Sequence, residues 1–221
     1  MRLITSFQAA QWLTFFCCWG VAVGKEPAAL ERPYELGPLT ISEFIGRVEP
    51  GSTAQANTAT RVRSKFRYSI RRSGRHFEAK ITSITLFTVF LPQDSWWASH
   101  ASTALLDHEQ GHFDIAEINV RKAQLAIAQS KSNGKSMMVT KNSKQEASAA
   151  VVAMLDEQLQ QVDSQIAADN LEYDRDTRHG LSSPKQSELR RIHQLTLEHL
   201  AEELAARNPK TRRLRAKSAP Q

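Results

Sequence analysis

The stretch Asp107-His108-Glu109-Gln110-Gly111-His112-Phe113-Asp114 decides how the rest of the chain is read. It contains His-Glu-x-x-His, a zinc signature of many metallopeptidases. A helix turns about 100° per residue and rises about 1.5 Å, so His108 and His112 lie about 40° apart and one turn apart in height. Two imidazoles so placed can share one tetrahedral metal ion. Glu109 falls on the adjacent face, where a carboxylate can take a proton from a metal-activated water. With 7 histidines in 221 residues, the pattern arises by chance on the order of once in a hundred such chains. The bland alternative is a wet helix face carrying two solvated histidines. The apolar neighbours Leu105, Leu106, Phe113, Ile115, Ala116 and Ile118 weigh against it. They predict a helix over Ser102 to Ser130 packed in a core, where histidines and carboxylates need partners.

Upstream the period changes to two. Val62, Ser64, Phe66, Tyr68 and Ile70 alternate with Arg61, Arg63, Lys65 and Arg67, the pattern of a strand with one basic, wet face. Residues 71–75 make a turn around Gly74. Phe77, Ala79 and Ile81 resume the alternation; Ile84, Leu86, Thr88 and Phe90 continue it in opposite phase. The phase flip predicts a bulge near Thr82-Ser83, and Pro92 ends the run. Residues 59–91 therefore read as a long hairpin or small meander, and Leu39 to Phe44 as a short strand or turn. His100 reads as a surface residue. Trp96 and Trp97 suit core packing better than substrate stacking.

Downstream, a turn at 132–135 leads to a second helix over Lys144 to Asn170. Its stripe Val151, Leu155, Leu159, Val162, Ile166 recurs at helical spacing. Residues 172–180 form a polar block ending in His179-Gly180, with Gly180 suited to a turn of positive φ. Ser183-Pro184-Lys185-Gln186 then opens a third helix, with Ser183 as N-cap, Pro184 in the first position and Gln186 closing a capping box. Leu189, Ile192, Leu200 and Leu204 mark its buried side; His193 and His199 are surface or packing residues. The fold class is α+β: a small N-terminal antiparallel sheet packed against a C-terminal bundle of about three helices, the first carrying His-Glu-x-x-His.

Residues 1–24 read as a secretory signal peptide, with Arg2 ahead of an apolar run and small residues at Ala22-Val23-Gly24. The run is short for a membrane span, and Phe15-Phe16 before Cys17 argues against a lipidation site at Cys17 or Cys18. Residues 25–37 read as a mobile leader, 38–205 as the domain and 206–221 as a basic disordered tail. Both cysteines lie in the signal peptide, so the mature chain has no disulfide and any metal must use His, Asp or Glu. The expected location is periplasmic or secreted, with no transmembrane span after signal removal. The net charge of +6 owes much to the tail, which suits contact with anionic envelope surfaces. No aromatic residues interleave its cations, which excludes specific nucleic-acid stacking.

A catalytic zinc takes three protein ligands and an open position. Beyond His108 and His112, the candidates are His179, Asp174, Glu172 and Glu117. Glu117 lies about 140° round the helix from His112 and faces elsewhere. His179, on a turn after the second helix, is the preferred third ligand; Asp174 and Glu172 stay open. Asp114, or a carboxylate not used as ligand, could hold an imidazole's second nitrogen. Tyr173 or Arg178 could stabilise an oxyanion. The expectation is a zinc metallopeptidase acting on a peptide or protein substrate, with Glu109 as catalytic base. A substrate could pair with an edge of the 59–91 sheet. The alternatives are a non-catalytic zinc-stabilised envelope module and a zinc amidase cleaving a cell-wall cross-link.

Two blocks together resemble a bacterial family, the domain of unknown function 922, described as predicted secreted zinc-dependent proteases. They are Leu105 to Glu117 and Tyr173-Asp174-Arg175-Asp176-Thr177-Arg178-His179-Gly180, with Ser95-Trp96 similar as well. The likeness spans roughly residues 38–205. It implies export, zinc and peptidase-like chemistry, and it strengthens His179, which sits in the second block.

Overall fold

The computed structural model describes residues 31–134 and 136–207. The expected signal peptide, and the expected tail past Arg207, lie outside that span. In chain order the elements are β1 (Arg32–Pro33), β2 (Ala56–Asn57), β3 (Thr60–Ser73), β4 (His76–Phe90), β5 (Trp96–Trp97), α1 (Leu105–Ser132), β6 (Met138–Lys141), α2 (Lys144–Thr177) and α3 (Ser183–Arg207). Short 3-10 turns occupy Tyr34–Leu36 and Ile41–Glu43.

The fold is α+β, as the periodicities imply. β3 and β4 form the predicted hairpin, fully antiparallel. Its register slips where Arg67 faces Ser83 and Tyr68 faces Ile81. Thr82 is thus the extra residue of a bulge, and its hydroxyl donates to Arg67 O at 3.1 Å. The slip keeps Phe66, Tyr68, Ile81 and Ile84 on one face despite the phase change in sequence. The other edge of β4 is shared: β1 pairs at Val89 and Phe90, β6 at Phe77 to Lys80. β2 and β5 pair separately.

The hairpin's apolar face buries Val62 and Leu86 against Ala116, Val120 and Ile166, and Ala79 and Ile81 against Ala147, Val151 and Leu155. Each valine, leucine or isoleucine among them contributes about 1.5–3 kcal/mol on burial. On the far side of α1, Ile118 meets Leu197 and Leu200 of α3. α1 is therefore covered on several sides, and its span from His108 to Val120 is buried almost throughout, polar residues included. Trp96 is buried and Trp97 packs edge-on against Phe44, the packing role expected for the pair.

Several boundaries differ from the sequence reading. Residues 31–37, expected as leader, are tied down: β1 pairs with β4, and the Tyr34 hydroxyl donates to Asp114 Oδ1 at 2.8 Å. Residues 40–43 are a capped 3-10 turn, with Thr40 and Glu43 bonding reciprocally. α2 starts at Lys144 as expected, with Ser143 accepting from Glu146 N, but it runs seven residues past Asn170. It ends in left-handed backbone at Arg178 and His179, both at φ 52°, followed by Gly180 at φ 81°. α3 starts at Ser183, and Gln186 Oε1 is buried without a partner, so the expected capping box is not made.

Candidate metal centre

The site forms where the N-terminal turns of α1 meet the C-terminal turns of α2. Extending α2 to Thr177 places Asn170, Tyr173, Asp174 and Thr177 at spacings of three and four, one helix face. That face meets His108 and His112. His112 Nδ1 donates to Asn170 Oδ1 at 3.0 Å. The Thr177 hydroxyl donates to Tyr173 O at 2.7 Å, leaving a lone pair for His108 Nδ1 at 3.4 Å. Both imidazoles are thereby held with hydrogen on Nδ1 and an Nε2 lone pair turned inward.

The two Nε2 atoms face each other at 3.2 Å, and Asp174 Oδ1 lies 3.1 Å from that of His108 and 3.2 Å from that of His112. The ligand atoms of His108, His112 and Asp174 all lie within 4.8 Å of one another. Facing lone pairs beside a carboxylate repel unless a cation lies among them, so the donor set fits a divalent metal ion. Without one, a proton takes that part. Burial opposes protonation of His112, but its hydrogen bonds to Asp174 and Asn170 and the charge of Glu109 outweigh it and raise its pKa. Burial pushes Asp174 up, yet the hydrogen bonds and charges of the two imidazoles hold it well below the usual carboxylate range.

Glu109 is buried beside this triad, and its Oε2 has no hydrogen-bond partner. Leaving a buried carboxylate oxygen unpaired costs about 1–3 kcal/mol or more, which suits an atom facing a water or substrate. It borders a cleft of about 810 Å³ lined by Thr53 to Thr58 on one side and by His108, Glu109, His112, Asp174 and His179 on the other.

The remaining expected site residues fall in different places. His179 lines the same cleft but is not in the triad. Its side chain is 79% exposed and its Nδ1 is 3.6 Å from Asp174 Oδ1. Asp174, kept open as an alternative, is the residue that joins the two histidines. Tyr173 is buried behind them, its ring stacked on His108 at 4.9 Å and edge-on to His112 at 5.2 Å. Burial raises the pKa of its hydroxyl. Arg178 is exposed. Asp114 points away from the imidazoles, as its position about 200° round the helix from His112 requires. It binds Gln110, Tyr34 and Arg190 instead. Glu172 is exposed beside Arg175, and Glu117 pairs with Arg121. Asn170 and Thr177 were not anticipated; their signal was the continuing helical spacing, which the polarity of residues 172–177 concealed.

A family model described as bacterial protein of unknown function matches residues 38–180. The chain belongs to the DUF922 family. The matched span of this DUF922 protein holds β2 to α2 and every residue of the triad, and it stops before α3. No curated protein and no solved structure matches the chain. Among the described residues, no helix is long and apolar enough to cross a membrane.

Proposed function

We propose that this DUF922 member is an exported zinc-dependent hydrolase of peptide bonds. The observation that carries the reading is the convergence of His108, His112 and Asp174 beside the unpartnered carboxylate of Glu109, at the wall of an open cleft. His108, His112 and Asp174 would hold the ion. Zinc, when bound, supplies a Lewis acid and brings the pKa of a coordinated water down toward about 7. Glu109 accepts a proton at its carboxylate from a water in the cleft and passes it to the leaving amine. Asn170 and Thr177 keep the imidazoles in one tautomer and orientation. His179, exposed at the rim, is placed to donate to oxygen of a bound substrate.

The cleft favours a particular kind of substrate. Its wall from Thr53 to Thr58, with Ser102, Ala104 and Ser183, is made of short, uncharged or amide side chains. An extended peptide with small neutral side chains would lie along it. The stretch next to the site is thus β2 and its approach, rather than the 59–91 hairpin. Glu109 favours an enzyme over a zinc-stabilised envelope module, because a structural ion needs a fourth ligand and not a free carboxylate.

The test pairs metal content with hydrolysis of casein, quenched peptides and cell-wall cross-links. Glu109→Gln should keep about one equivalent of zinc and lose at least a hundredfold in rate. Asp174→Ala should lose the ion, whereas His179→Ala should keep it and lower the rate. Full activity of Glu109→Gln would refute the reading. Loss of zinc in His179→Ala, with retention in Asp174→Ala, would return the third position to His179. Cleavage of the cross-link alone would make the protein an amidase.

A further inference from the structure

A second cavity lies away from the candidate metal centre. α1 and α2 are joined at one end by Asn119, whose Nδ2 donates to Asp169 Oδ2 at 2.8 Å. Beyond that contact a cleft of about 720 Å³ opens between the two helices, over β4. Its apolar lining includes Ile84 and Leu86 from the sheet, Ala123 and Ile127 from α1, and Leu159 and Val162 from α2. All of these except Leu86 are only partly buried, although they pack against the central core cluster. The α2 stripe that reads as core in the sequence therefore stops short of closure at Leu159 and Val162.

The polar lining is one-sided in charge. Lys80, Lys122 and Lys131 border the cleft, with neutral Gln158, Gln161 and Gln165 across from them on α2. The Lys131 ammonium donates to Thr82 O at the end far from Asn119. Asp169 is the sole carboxylate among the lining residues described, and it is held at the metal-centre end by Asn119 and Gln165. From Asn119 to Lys131 the α1 wall runs ~18 Å. An apolar trough of that length with cations on its rim complements a molecule with one long hydrocarbon chain and one anionic head. The volume lies within the range of small-molecule sites.

We infer that the α1–α2 cleft binds a long-chain fatty acid, with the chain along Ile84, Ala123, Ile127, Leu159 and Val162 and the carboxylate at Lys131. The inference rests on this cavity alone and is independent of hydrolytic activity. The test uses the full chain as purified, stripped of lipid, with cis-parinaric acid as a fluorescent probe. The expected result is a saturable one-to-one fluorescence rise, displaced by palmitate but not by hexadecanol. Lys131→Glu should weaken the probe at least tenfold. Ala123→Phe should abolish binding, and Ala126→Trp, at an exposed lining position, should do the same if Ala123→Phe fails to fold. Absence of saturable binding, equal competition by hexadecanol, or undiminished binding to the charge-reversed protein would each overturn the inference.

Discussion

Gly111 shows how tightly one position can be specified. It sits in the interior of α1, where alanine would ordinarily be the better residue by about 1 kcal/mol. A Cβ there would land inside the Tyr173 ring and hydroxyl. Tyr173 in turn stacks on His108 and precedes Asp174, so whatever moves this ring moves a candidate ligand. Gly111→Ala should therefore reverse the usual sign, destabilising the protein by about 1–3 kcal/mol. It should also weaken metal binding at least tenfold in a competition titration with a chromophoric chelator. Adding Tyr173→Leu should recover part of the stability, because the clash and not the helix is at fault. Gly180 makes a similar close approach, with His108 Cβ 3.2 Å from where its own Cβ would be. Two glycines in two distant motifs thus serve the same histidine. In the sequence both are plain as letters, but their reason becomes visible only when the partner helix is in place.

At the scale of elements, legibility followed periodicity. The β3–β4 hairpin and its bulge were readable because a single inserted residue leaves a phase change that alternation exposes. The motif helix was readable from its apolar flanks. The last two turns of α2 were not, because Glu172, Asp174, Arg175 and Asp176 look like a polar loop when the residues they pair with are unknown. The same reading preferred His179, on the turn after α2, to Asp174, the residue that lies with the two histidines in the structure. α3 poses the converse case. Its docking depends on Arg190, which bonds Asp114 on the buried back of α1, a pairing no local pattern announces. Arg190→Leu should leave that carboxylate without its cation and cost about 3–5 kcal/mol, measured as a lowered urea midpoint. Double substitution with Asp114→Asn should cost less than the sum of the two single changes.

For the whole molecule, the layering places one helix between a sheet with α2 on one side and α3 on the other, and the layers meet at titratable groups. In the metal-free protein His112 has a raised pKa. Its protonated form therefore adds stability in full below about 6.5, the unfolded value, and that contribution is lost as pH rises through the folded value. Asp174 is depressed, so its contribution holds above about 3.9 and fails only on further acidification. A divalent ion needs both imidazoles neutral, so its affinity climbs over the same window in which the metal-free protein weakens. Melting curves without metal should shift down from pH 6 to 8, while the gain on adding zinc should grow. Equal pH profiles with and without zinc would contradict this assignment.

His108 and Asp174 stand 66 residues apart in the chain, and the segment between them contains most of α1, all of β6 and nearly all of α2. An ion seated among them would act as a clasp on that long excursion, cross-linking its two ends much as a covalent tie would. Chelation should then lower stability as well as remove the ion. At a hundredfold excess of ion over its dissociation constant the clasp is worth about 2.7 kcal/mol, so its removal should lower the melting temperature by about 5–10 °C. The drop should be the same in Glu109→Gln, which keeps His108, His112 and Asp174.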